Sequence, residues 1–235
     1  MSKSIHTSWI KVAGSAGEFD AYLALPPAGR GPGLVLFQEI FGVNAHVRTV
    51  AEQFAWDGFV VLAPDVFWAQ QPRVELGYDG PDWQRAVALK QSADPKALFR
   101  DAHDSVKALR ARPEVAGGKV GTCGYCMGGW LAFHAAAQGG VDAAVAYYGG
   151  GIQNDLGEAA RIACPVMFHY GDQDQSIPKA AIDQVRAAMK GKDAPLHVYP
   201  GAGHGFNCWA RDAYHPASAA LAHGRTLEFL ATHLF

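Results

Sequence analysis

The chain has 235 residues, 49% of them hydrophobic and 18% charged, which suits one well-buried domain over 1–235 and gives no sign of a second. A net charge of −2 argues against a nucleic-acid surface, which needs a basic excess, and no apolar run approaches the roughly 18 residues of a membrane span. The polar start M-S-K-S-I-H-T-S-W lacks a signal peptide's apolar core, and four cysteines make no disulfide framework, so the expectation is a reduced, cytoplasmic protein, monomeric or a small homo-oligomer.

Ser8 to Val12 and Phe19 to Leu25 are short β-like runs split by G-S-A-G, which reads as an antiparallel hairpin. Gly33 to Phe37 is wholly apolar, as suits a strand covered on both faces. A helical pattern follows from about Ala45 to Asp57, then a second buried strand from Phe59 to Ala63. Residues 67–95 mix Gln, Pro, Trp and Tyr around a short helical stretch near Trp83 to Gln91. Such a segment is either a lid over a site or a plain surface excursion. Leu98 to Arg112 is amphipathic at helical spacing, and Pro113 stops it. Further strands are expected at Val120 to Cys123, Val141 to Tyr148, Pro165 to Tyr170 and Leu196 to Tyr199. Helices are expected from Trp130, over Pro178 to Lys190 and over Tyr214 to Phe235. Strands alternating with helices predict an α/β fold, a mostly parallel central sheet with helices on both faces.

The most informative stretch is G-Y-C-M-G-G at 124–129, between the expected strand and helix. A strand turns directly into a helix only if the hinge residue takes a strained backbone, with tiny residues two before and two after it. Gly124 and Gly128 fit, and the spacing is that of a nucleophile elbow carrying cysteine in place of serine. Cys126 then sits at a helix N-terminus, where unpaired N–H groups favour negative charge. Cys123 and Cys126 also spell C-x-x-C, the spacing of a thiol–disulfide redox pair, so that reading stays open.

In open parallel sheets function collects beyond the strands' carboxyl ends. After the Pro165–Tyr170 strand come Asp172 and Asp174, and after the Leu196–Tyr199 strand comes His204 in G-A-G-H-G-F. Nucleophile, acid, histidine is the chain order of α/β-hydrolases. A free thiol needs an adjacent imidazole to take its proton, and the imidazole needs a carboxylate on its far nitrogen. Asp174, deeper in its loop, is the expected acid, with Asp172 capping the turn. The other nine histidines have no such setting; His134 and His169 are expected to be packed in the core. No zinc-type spacing, P-loop or dinucleotide fingerprint occurs, so neither a metal nor a cofactor is expected.

Taken with Q-E-I-F-G-V-N at 38–44, A-P-D at 63–65, G-K-V-G-x-x-G-Y-C-M-G-G at 118–129, F-H-Y-G-D-Q-D at 168–174 and G-A-G-H-G-F at 201–206, the chain resembles the dienelactone hydrolases (carboxymethylenebutenolidases) of the α/β-hydrolase superfamily. The resemblance implies a lactone or small carboxylic ester as substrate, a Cys126–His204–Asp174 triad and a cysteine acyl-thioester. It also implies that Glu39 interacts with the resting thiol and helps form the thiolate. The backbone N–H groups of Ile40 and Met127 would form the oxyanion hole. The family binds a substrate carboxylate with two arginines. One matches Arg85; the other is expected shortly after the histidine, in a pattern like H-S-F-A-R. Here H-G-F-N-C puts Cys208 in that place, with Arg211 three residues on as a substitute. Phe41, Tyr148 and Trp209 are aromatic candidates for the substrate pocket. A carboxylesterase of the same family acting on other esters remains the alternative. A class I glutamine amidotransferase is disfavoured, because its histidine and acid sit two apart and here Phe206 stands two beyond His204.

Overall fold

A computed structural model describes residues 4–235, so the first part of the polar start, at 1–3, lies outside the described residues. Strands β1 (His6–Gly14) and β2 (Gly17–Leu25) form the expected hairpin, antiparallel from His6 opposite Leu25 to Gly14 opposite Gly17. Six further strands follow: β3 (Gly31–Phe37), β4 (Val60–Pro64), β5 (Val115–Tyr125), β6 (Ala143–Tyr147), β7 (Val166–Gly171) and β8 (Leu196–Tyr199). The helices are α1 (Ala45–Trp56), α2 (Gly80–Ser92), α3 (Pro95–Arg110), α4 (Met127–Gln138), α5 (Lys179–Ala188) and α6 (Pro216–Leu234).

The sheet runs β1-β2-β4-β3-β5-β6-β7-β8, with β2 antiparallel to β4 and every later pair parallel. The chain passes from β3 by α1 to β4 on one side, then returns by α3 to β5 on the other. That reversal makes the carboxyl ends of β3 and β5 the topological switch point, where such sheets bind ligands.

All seven residues of β3 are buried, because alternate side chains enter different cores. Leu34 and Leu36 pack in the cluster with Val47 and Phe54 of α1 and Phe229 of α6. Val35 and Phe37 join Leu98, Val106 and Leu109 of α3. Burying each such side chain contributes about 1.5–3 kcal/mol, so the two layers clamp the strand that leads into Glu39. At the start of α1, Asn44 Oδ1 accepts from Val47 N at 3.2 Å and fixes where the β3 loop turns into helix.

Candidate active site

Cys126 has φ 55° and ψ −116°, one of three non-glycine residues with positive φ among the described residues. The strain is tolerated because the turn is locked around it. Cys126 N donates to Tyr147 O at 3.0 Å, and Cys126 O accepts from Gly129 N at 3.0 Å. A Cβ at Gly124 would lie 2.0 Å from Gly128 O, and one at Gly128 would lie 2.3 Å from Phe37 O. Only glycine lets β5, α4 and the end of β3 approach this closely. Cys126 is therefore held half-buried at the first turn of α4, beside the Met127 N–H.

The loop after β7 delivers Asp174 and the loop after β8 delivers His204. They are hydrogen-bonded, His204 Nδ1 to Asp174 Oδ2, at 2.7 Å. Asp174 Oδ1 accepts from Ser176 N at 2.8 Å and Ile177 N at 3.2 Å, which fixes the carboxylate. Asp172 ties the two loops together: its Oδ1 accepts from Gly201 N at 2.7 Å. Burial disfavours charge on His204, but the Cys126 sulfur and the Asp174 carboxylate outweigh it and push its pKa up to about 10. Cys126 and His204 both line a cavity of about 640 Å³, with Ile40, Phe41 and Arg211.

Glu39 follows β3 directly and is 2% exposed. Its Oε1 accepts from Arg211 Nη1 at 3.1 Å, while Oε2 has no hydrogen-bond partner among the described residues. Burial raises its pKa, against the pull of Arg211 and His204. Arg211 threads over Gly205, where a Cβ would meet its guanidinium at 2.6 Å. Its guanidinium also sits 5.7 Å above the Phe41 ring and 5.8 Å from those of Tyr78 and Trp83.

Three expectations for the pocket need correction. Arg85 lies on the exposed face of α2 and bonds to Gln71, because the helix turns Trp83 and Val87 toward the cavity instead. Trp209 packs edge-on against His46 at 4.2 Å, facing a separate groove with Tyr214 and His223. Tyr148 is fully buried and props the His204 ring at 5.2 Å from behind rather than lining the cavity. Residues 67–95 form a wall of the site. They are pinned by Leu76 N donating to Phe41 O at 2.9 Å and by Asn44 Nδ2 donating to Leu76 O at 3.0 Å. Among the described residues no cluster of His, Cys, Asp or Glu could hold a metal ion, and no helix is long and apolar enough to cross a membrane.

The profile of the dienelactone hydrolase family matches residues 19–234. The chain belongs to the dienelactone hydrolase family. It is 39% identical to a candidate carboxymethylenebutenolidase of Azospirillum brasilense over 226 residues, covering 94% of this chain and 96% of the relative. It is 35% identical to carboxymethylenebutenolidase 1 of Cupriavidus pinatubonensis over 219 residues, covering 92% and 93%. The crystal structure of a candidate dienelactone hydrolase from Klebsiella pneumoniae superposes with a TM-score of 0.86 at 27% identity, covering 97% of this chain and 99% of that one. The α/β-hydrolase fold and membership among ester- and lactone-cleaving hydrolases follow. Two residues that line the cavity, Trp130 and Asp155, were not among the site residues expected from the sequence. Trp130 had a signal: it stands four residues after Cys126, on the same face of α4.

Proposed function

We propose that this enzyme cleaves a lactone or small ester through an acyl-thioester on Cys126. The observation that carries the reading is the Asp174–His204 hydrogen bond on a cavity shared with a cysteine on a strained elbow. His204 takes the Cys126 thiol proton, the sulfur attacks the carbonyl carbon, and the carbonyl π pair moves onto oxygen. The N–H groups of Met127 and Ile40 hold that oxyanion. Its collapse expels the alkoxide, which takes a proton from His204. In the second half His204 removes a proton from water, the hydroxide attacks the thioester, and the thiolate leaves. Glu39 is the reserve base: a substrate carboxylate that captures Arg211 releases Glu39 Oε1, and a buried carboxylate freed of its cation draws the thiol proton more strongly. With Arg85 turned away, Arg211 alone favours a substrate with no more than one carboxylate near the reacting bond.

The redox alternative is disfavoured, because Cys123 is fully buried in the core and burial pushes its thiol up to about 12. The test is turnover of p-nitrophenyl acetate. Cys126→Ala should lower kcat/KM by about a thousandfold or more, as loss of a nucleophile does. Cys123→Ala should keep it within about threefold. Turnover undiminished in Cys126→Ala would overturn the nucleophile reading.

A further inference from the structure

One part of the cavity is unused by this chemistry. Trp130 stands one helical turn after Cys126 and its ring lines the cavity, half-buried. Its indole Nε1 donates to Asp155 Oδ2 at 2.6 Å. The same oxygen is hydrogen-bonded to His134 Nε2 at 2.8 Å. The His134 ring in turn lies stacked on Phe99 at 3.8 Å, and Phe99 meets the Trp130 ring edge-on at 4.7 Å. Gly151, at φ 109°, packs beside the indole: a Cβ there would stand 3.4 Å from it, at ordinary contact distance. The polar edge of Trp130 is thus already satisfied and its position fixed from two sides. Trp83 and Val87 of α2 line the same space.

We infer that Trp130, held by Asp155 and His134, is a specificity residue whose ring face makes one wall of an aromatic slot beside Cys126, and that the enzyme prefers aryl esters and ring-fused aromatic lactones over small aliphatic ones. A pre-positioned indole loses little entropy on binding, and ring faces reward flat partners through stacking as well as burial. A cavity of about 640 Å³ has room for a two-ring group. Asp155 acts as a positioning residue, through the indole it anchors. The inference rests on the ester-hydrolase reading and adds the substrate class.

Phenyl acetate and 2-naphthyl acetate have leaving groups of similar acidity, so their kcat/KM ratio reports the slot rather than the chemistry. The wild-type enzyme should favour the naphthyl ester about tenfold. Trp130→Leu and Asp155→Ala should each bring the ratio within about twofold of unity, chiefly through KM, whereas Asp155→Asn, which keeps an accepting oxygen, should retain it. Phenyl hexanoate should gain less than the naphthyl ester over phenyl acetate; an equal gain would mean a merely greasy pocket and overturn the aromatic slot. A wild-type ratio near unity, with phenyl acetate hydrolysed and that activity lost in Cys126→Ala, would sink the slot and leave the hydrolase standing. Calorimetric titration with 2-naphthoate decides the slot even if no ester is turned over. Binding weakened about tenfold by Trp130→Leu supports it, and no binding to the wild-type protein overturns it.

Discussion

Arg211 reaches back 172 positions to place its Nη1 3.1 Å from Oε1 of Glu39, and the side chains are only 13% and 3% exposed. A buried pair of this kind does little for stability as a whole, but breaking it strands a charge. Arg211→Met should therefore cost about 3–5 kcal/mol in denaturant unfolding, and adding Glu39→Gln should recover most of that loss. The folded-state pKa of Glu39 is already raised by burial, so its ionisation opposes folding as pH rises through that value. Glu39 should accordingly make the single variant lose more stability than the double variant does on going from pH 5 to pH 8.

His46 gives the opposite sign. Burial, reinforced by the Arg211 charge, lowers its pKa from 6.5 to about 4, and its Nδ1 has no partner among the described residues. It stabilises the fold while neutral, above pH 6.5, and that contribution is lost as pH falls toward 4. The loss should approach roughly 3 kcal/mol at low pH. His46→Gln should flatten this part of the stability–pH curve, measured by urea unfolding across pH 4–7.

His204 should hold its proton through neutral pH because Cys126 and Asp174 oppose the cost of burial and push it up to about 10. Its contribution to folding is complete below pH 6.5 and fades as pH rises toward 10. Cys126→Ala removes one of the two raising partners, so the imidazole titration followed by NMR should move down by about one unit or more.

Space at the elbow is tighter than any side chain allows. Gly128→Ala would set a methyl 2.3 Å from Phe37 O and 2.6 Å from Gln38 O, backbone that leads into Glu39. It should cost about 3 kcal/mol or more and abolish turnover. Gly224→Ala on α6 meets nothing within 4 Å and should stabilise by about 0.5–1 kcal/mol. Thermal unfolding of the two variants checks both signs.

What could be read from the sequence follows from how locally each feature is written. The elbow is carried by six adjacent residues, and its glycines state their own steric reason. Asp174 and His204 could be placed because strands announce where they end, and a parallel sheet gathers those ends on one edge. The direction of a helical side chain is not local. Arg85 and Trp83 are two residues apart on α2, yet one faces solvent and the other the cavity, a choice made by packing against Phe41. Arg211 could enter the site only because Gly205 leaves its path open. The anchoring of Trp130 by Asp155 joins residues 25 apart, across β6 and the turn after it.

The most direct test of the account is to mix the enzyme rapidly with p-nitrophenyl acetate, quench in acid during the first turnovers, and locate any acetyl group by peptide mass spectrometry. The account predicts acetyl bound to the Cys126 sulfur, appearing with the first release of p-nitrophenol and decaying as water replaces it. Steady release of p-nitrophenol with Cys126 never modified, or undiminished release by Cys126→Ala, would contradict it.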